Sequence, residues 1–238
     1  MTDTNFDPTV ALTRIAGAYR TFVSSFQRFK NPVIKEWIDQ EIEKGTLLYK
    51  GPYVELARRY ATGDTFKTLV GEGLLHPETP EYFPQKEIHP PTPIHPYRHQ
   101  SDAIRSILAG NNTVVTSGTG SGKSFCFAIP VISTCLEMRD RNLPGIKAIL
   151  VYPMNALANS QYDDLAKRLI GSGLKIAIYT GDTPHTYENA LIAYRERTER
   201  NVPFDSELIS REEIQRTPPD ILITNYVMLE YILTRFED

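Results

Sequence analysis

The segment Thr113–Ser124, TVVTSGTGSGKS, constrains this chain more than any other stretch of it. A short β-branched run, Thr113–Thr116, gives way to a turn holding Gly118, Gly120 and Gly122. Gly122-Lys123-Ser124 then opens an apolar helix. Glycines at alternate positions let a backbone curl through left-handed conformations and come close to a ligand. Curling turns successive N–H groups inward, and a helix N-terminus adds partial positive charge, so the pattern holds an anion. In such a loop Lys123 reaches the β- and γ-phosphates of a nucleotide and the Ser124 hydroxyl becomes a ligand of Mg²⁺. Lys123 and Ser124 are therefore the expected catalytic side chains. Ser117, Gly118, Thr119, Gly120, Ser121 and Gly122 line the phosphates. Ser117 stands where the strict G-x-x-x-x-G-K-[ST] pattern has its first glycine. The competing reading, a flexible Gly/Ser loop with a surface lysine, fits poorly with a strand before and a helix after.

The flanking sequence alternates in the same way. A helix is expected over Tyr97–Leu108, then the Thr113–Thr116 strand and a helix over Gly122–Glu137. A strand at Ala148–Tyr152, a helix at Asn155–Ile170 and a strand at Lys175–Tyr179 follow. A charged stretch, 184–218, carrying RERTER and SREE, precedes a strand at Ile221–Thr224 and a helix at Tyr226–Arg235. Short apolar strands between helices predict an α/β fold with a parallel sheet covered on both faces. The 184–218 stretch reads as a solvated helical insertion. Upstream, residues 1–75 read as a small helical region. Its helices run from Asp7-Pro8 to Phe29, from an Asn31 cap with Pro32 at the first position to about Gly45, and from Tyr53 to about Ala61. Trp37, Tyr19, Phe22, Phe26 and Phe29 are expected in a core. The proline-dense segment 76–96 reads as an extended linker, which leaves 97–238 as the nucleotide-binding domain.

Composition excludes several classes. Hydrophobic residues make up 41% and charged ones 23%, the balance of a globular chain, and disorder is set aside. Net charge is −3, so nucleic acid would have to be met by a local groove and not by a global basic field. Cys126 and Cys135, nine positions apart on one predicted helix, cannot pair within it. The N-terminus lacks a signal-peptide pattern and no apolar run spans a bilayer, so a membrane is not expected and the cytoplasm is.

The ordered set Tyr97-Arg98-His99-Gln100, Thr116–Ser124, YPMNALANSQ (152–161), TGDT (180–183) and PDILITNYVMLE (219–230) resembles the first RecA-like domain of superfamily 2 DEAD/DEAH-box (DExH) helicases. The resemblance covers about 93–238 and includes a relaxed first glycine, as at Ser117. It implies a RecA-like P-loop domain, ATP and Mg²⁺ as cofactors, and a single-stranded or duplex nucleic-acid partner, DNA in preference to RNA. Relatives in repair and anti-phage defence imply complex subunits as further partners. Gln100 is expected to read adenine, because a carboxamide matches the N6/N7 edge with donor and acceptor. Either Tyr97 or Arg98 would stack on the base. Pro153 and Asn155, Gly181, Asp182 and Thr183, and Thr224 and Asn225 are implied to grip the sugar-phosphate backbone. Met154 and Asn155 are uncharged where the family often places basic or hydroxyl residues.

Phosphoryl transfer also needs a carboxylate at a strand end for Mg²⁺ and another to orient water. No Asp-Glu pair occurs in the sequence. Asp163 and Asp164 fall inside a predicted helix, and Asp182 belongs to TGDT. The expectation is a RecA-like domain stopping before its hydrolysis motif, inactive alone and completed by the rest of a longer chain. The alternatives are a non-hydrolysing ATP- or strand-binding module, or a P-loop kinase or GTPase, against which Gln100 and TNYVMLE argue.

Overall fold

Short apolar runs at Ala148–Tyr152 (β1), Ile176–Tyr179 (β2) and Ile221–Asn225 (β4), with the two-residue strand Glu207–Leu208 (β3), form a four-stranded parallel sheet of order β1-β4-β2-β3. The computed structural model describes residues 7–26, 29–44, 60–85, 91–198 and 200–234. β4 is central, with Ile221, Ile223 and Thr224 wholly buried, as a strand covered on both faces must be. In register, Tyr152 lies opposite Asn225 and Tyr179 opposite Thr224, so β1, β4 and β2 end at one carboxyl edge. Their amino ends meet at Asp220. Its side chain takes Lys147 Nζ at 2.7 Å and the Lys175 N–H at 2.6 Å, and its carbonyl accepts from Lys147 and Ala148 N–H.

Helices Arg98–Leu108 (α4), Lys123–Asp140 (α5) and Asn155–Arg168 (α6) pack with the sheet around Ile104, Ile129, Ile132, Leu136, Tyr162, Leu165 and Leu169. Tyr226–Thr234 (α9) follows β4 directly. The strand expected at Thr113–Thr116 does not form. A strand exists only through pairing, and those residues join no ladder; Val114 is 89% exposed. Among the described residues β1 is paired on one side only, and its Ile149 and Val151 stay exposed.

The division into compact units falls between Arg59 and Tyr60 and not at residue 75. The physical reason is the core: Phe66 and Leu69, on helix Phe66–Gly71 (α3), are buried with Leu75 and Phe83 against α4, α5 and α6. The segment read as a linker is consequently packed in its described part. Thr79–Tyr82 forms a 3-10 turn, Phe83 stacks on Phe66 at 5.9 Å, and Pro84 bridges Pro93. Side chains hold it as well: the His76 N–H donates to Ser133 at 2.8 Å, and Arg139 pairs with Glu78 at 3.0 Å. Proline restricts a chain; it does not prevent it from burying an aromatic ring.

In the first unit, Asp7 and Asn31 cap helices Pro8–Phe26 (α1) and Pro32–Glu43 (α2) by accepting from Thr9 and Val33 N–H. The helical reading there holds, but the expected core does not. Tyr19, Phe22, Phe26, Phe29 and Trp37 are all exposed, although Phe22 and Phe26 meet edge to face at 4.8 Å. The helix expected from Tyr53 lies largely outside the described residues, and Tyr60 and Ala61 are not helical.

The 184–218 insertion is more ordered than its charge suggested. Helix Tyr187–Thr198 (α7) buries Ala190 and Tyr194, β3 extends the sheet, and Arg211–Arg216 (α8) follows. The Tyr194 hydroxyl donates to buried Glu207 at 2.6 Å, which raises the phenol's pKa together with burial, the larger cause. Among the described residues no helix is long and apolar enough to cross a membrane.

Candidate functional site

The glycine-rich loop takes the curl its sequence requires. Gly120 and Gly122 have φ of 75° and 71°, a region that side chains with a Cβ enter at a cost. Gly122 caps α5 in that conformation, and Lys123 and Ser124 open the helix. Lys123 Nζ folds back over the loop, donating to the carbonyls of Ser117 at 2.8 Å and Gly118 at 2.7 Å. Ser117 and the fully buried Ser121 share a hydroxyl–hydroxyl bond of 2.6 Å. Ser117 therefore closes the loop with a side chain that glycine lacks. Around Gly120 a Cβ would meet nothing within 4 Å, so the mouth of the loop is open. An ammonium, a helix N-terminus and an uncapped loop mouth fit a polyphosphate. The Ser124 hydroxyl bonds no described residue and is free to bind a cation. No group of three or more His, Cys, Asp or Glu side chains among the described residues could hold a metal.

Gln100 sits under this loop, 2% exposed. Its Oε1 accepts from the Tyr97 N–H at 2.8 Å, and its Nε2 donates to the carbonyls of Gly122 at 2.9 Å and Ser121 at 3.4 Å. Both ends of the carboxamide are thus used inside the protein, and Gln100 acts as a strut from the start of α4 to the loop. His99 makes a parallel contact to the Ser121 carbonyl at 3.1 Å. Of the two stacking candidates, Arg98 is exposed beside Asp102, whereas Tyr97 joins a ring cluster with His99 and Tyr60. The Tyr60 hydroxyl lies 3.7 Å from where a Gly118 Cβ would be, so this cluster flanks the loop. Tyr60 was missed in the sequence; forty residues from Gln100, it carries no local signal.

The second constellation lies at the carboxyl edge of the sheet. Asn155, which opens α6 after β1, donates from Nδ2 to Asp182 at 2.9 Å and accepts from Asn225 Nδ2 at 2.8 Å. Asn225 Oδ1 in turn accepts the Met228 N–H of α9 at 2.7 Å. Three of the residues implied to contact a strand are therefore brought into one relay. The α6 cap is Met154, not Asn155, and no side chain caps that helix. Thr183 and Thr224 face inward. The Thr224 hydroxyl donates to the Tyr179 carbonyl at 2.7 Å; that of Thr183 accepts from the Thr180 N–H and donates to the Ile178 carbonyl. In this arrangement these hydroxyls hold strand ends, leaving backbone, amide and carboxylate groups to face out. Pro153 and Gly181 are exposed on the same edge.

Comparison with known proteins follows the same residues. The DEAD/DEAH box helicase family profile matches residues 97–237. The chain is 30% identical to the Druantia protein DruE of Escherichia coli (strain UMEA 4076-1), over 59% of this chain and 12% of that protein. It is also 30% identical to the ATP-dependent helicase hrq1 of Schizosaccharomyces pombe, over 40% of this chain and 9% of that one. Among solved structures it resembles the DUF1998 helicase MrfA bound to DNA, with a TM-score of 0.50 and 21% identity, over 73% of this chain and 20% of MrfA. The chain thus spans a minor part of each of these three proteins. With the match extending from Tyr97 through the loop, both TGDT and TNY turns and into α9, the chain belongs to the DEAD/DEAH box helicase family.

Proposed function

We propose that this chain is the ATP- and strand-binding part of a DNA helicase or translocase, and that its turnover depends on carboxylates and a second RecA-like domain supplied by the remainder of a longer chain. The observation that carries the reading is the loop at the head of α5. There two left-handed glycines and the Lys123 ammonium lie on one loop, followed directly by Ser124 in the first turn of α5, within a family match over 97–237. Mg²⁺-ATP, when bound, supplies the transferable γ-phosphoryl group. Lys123, now on the Ser117 and Gly118 carbonyls, would hold the phosphates, and the Ser124 hydroxyl would hold the cation. The Tyr60–Tyr97–His99 cluster would offer a face to the adenine, while Gln100 supports the loop through its bonds to the Ser121 and Gly122 carbonyls. Asn155, Asp182 and Asn225, with the uncapped start of α6, meet the nucleic-acid backbone at the carboxyl edge. The DNA-bound state of MrfA supports DNA as the partner.

The test is ATP hydrolysis by the full-length gene product with and without single-stranded DNA, beside Lys123→Ala. Removing one member of a buried charged pairing costs about 2–5 kcal/mol, hence at least a thirtyfold loss at roughly tenfold per 1.4 kcal/mol. Stimulation by RNA and not DNA would refute the substrate. ATP binding without turnover would favour a second reading, a non-hydrolysing module.

A further inference from the structure

The SREE motif of the insertion has no place in the reading above, yet its arginine reaches the strand-contacting turn. Ser210 caps α8 in a box with Glu213, and the next two N–H groups, of Arg211 and Glu212, donate to the carbonyls of Pro184 and His185. The helix start is thereby pinned to the residues just beyond TGDT. The Arg211 side chain then turns back under that motif. Its Nε donates to the Thr183 carbonyl at 2.9 Å, and its Nη2 to the carbonyls of Thr180 at 3.0 Å and Gly181 at 3.4 Å. The Tyr179 ring, 5.0 Å from the guanidinium carbon, holds it from one side.

Two of those carbonyls share peptide units with particular N–H groups. The Thr180 carbonyl belongs to the unit that carries the Gly181 N–H, and the Gly181 carbonyl to the unit that carries the Asp182 N–H. In a trans peptide the C=O and N–H point in opposite directions. Anchoring both carbonyls on a guanidinium therefore aims both N–H groups away from it, into solvent, where Gly181 and Asp182 are exposed. Neither N–H has a partner among the described residues, whereas those of Thr180 and Thr183 are consumed within the turn. A hydrogen bond from a charged donor also polarises the amide it engages, which makes the opposite N–H a stronger donor.

We infer that Arg211 is a positioning residue for nucleic-acid binding: it presents the Gly181 and Asp182 N–H groups to one backbone phosphate and relays positive charge to them without touching the strand. The inference rests on the strand-contact reading of TGDT. It explains how a turn bearing the Asp182 carboxylate accepts an anion, since the guanidinium lies directly behind it.

The experiment measures binding of a fluorescein-labelled oligothymidylate to the full-length gene product across a salt series, for the wild type, Arg211→Ala, Arg211→Lys and Arg216→Ala. Thermal melts of each variant check folding. Removing the positive charge that neutralises one phosphate of a single strand makes the dependence of log K on log salt shallower by about 0.7. Arg211→Ala is expected to weaken binding about tenfold with that change in slope. Arg211→Lys, which keeps the charge but cannot fork to three carbonyls, should fall between, and Arg216→Ala, on the exposed last turn of α8, should match the wild type. If Arg211→Ala does not fold, an intermediate slope for Arg211→Lys supports the proposal and a wild-type slope overturns it. A folded Arg211→Ala with wild-type affinity and slope overturns this inference alone. No binding by the wild type overturns it together with the strand-contact reading.

Discussion

Replacing Gln100 by alanine separates two roles that one carboxamide could play. As a strut, Gln100 makes two well-formed bonds, at 2.8 Å and 2.9 Å, and a marginal one at 3.4 Å. Each good bond contributes about 0.5–1.5 kcal/mol net, and a stranded polar group adds to the loss where water cannot reach it. Tyr97 and Gly122 are both partly solvated, which tempers that second cost. The sum is about 2 kcal/mol. For a unit the size of Tyr60–Asp238, each kcal/mol moves Tm by about 2–4 °C, so Gln100→Ala should melt about 4–8 °C lower. The assay is thermal unfolding without nucleotide, paired with titrations of ATP and GTP analogues. A strut predicts the lower Tm and weaker binding of both nucleotides, because the loop itself is loosened. Gln100→Glu should be at least as damaging, since it keeps the acceptor for Tyr97 but aims a carboxylate oxygen at the Ser121 and Gly122 carbonyls. A Tm within 1 °C of wild type, with selective loss of ATP over GTP, would refute this reasoning and return Gln100 to adenine reading.

Gly122→Ala should push the strut out from the other side. Its Cβ would lie 2.6 Å from Gln100 Nε2 at a φ of 71°, and the left-handed conformation alone costs about 1–2 kcal/mol, measurable as a lower Tm and weaker nucleotide binding. Lys147→Met leaves Asp220 buried and short of its cation at the amino ends of β1, β4 and β2. A loss of about 3–5 kcal/mol is expected in denaturant melts, and Lys147→Met/Asp220→Leu should recover part of it. Burial, with a smaller contribution from the Asp220 charge, pushes the Cys135 thiol pKa up to about 12. At pH 8 roughly one thiol in ten thousand is then ionised, so iodoacetamide should modify Cys135 only after unfolding. The same shift has a sign in stability. The protonated thiol's contribution is complete below the unfolded pKa of about 8.5 and is lost as pH rises from there towards 12, so alkaline melts should show a falling Tm.

Much of the α/β unit was legible in the sequence because its signals are local. β1 lies where the apolar run Ala148–Tyr152 placed it, α4, α6, β2 and β4 differ from expectation by a residue or two at their ends, and α9 starts at Tyr226 as expected, its expected end at Arg235 lying outside the described residues. The loop was legible for the same reason, since glycine, lysine and serine act within one turn. What was not legible depends on partners distant in the chain. Thr113–Thr116 has strand composition but no neighbour to pair with among the described residues. Segment 76–85 has linker composition, yet Phe83 finds Phe66 and α5, which no local pattern announces. Gln100 was recognised as important while its bonding was not, because the Gly122 carbonyl meets it only through folding. Arg211 was hidden most completely: its charge reads as solvated surface until the turn at Thr180–Thr183 comes into reach.

The relay at the sheet edge leaves no freedom in its own direction. A carboxylate oxygen accepts, so beside Asp182 the Asn155 amide turns its nitrogen there and its oxygen towards Asn225; Asn225 then gives its nitrogen to Asn155 and its oxygen to the Met228 N–H. One carboxylate thus sets the donor–acceptor order across three strand ends and into α9, and no single amide can flip without breaking two bonds. A nucleic-acid strand is itself directional, with 5′ and 3′ sides that are chemically distinct. Laid along this edge it would meet a carboxylate at one end and a helix start at the other. On the strand-contact reading proposed above, the order of donors and acceptors at this edge would set the sense in which the strand lies down.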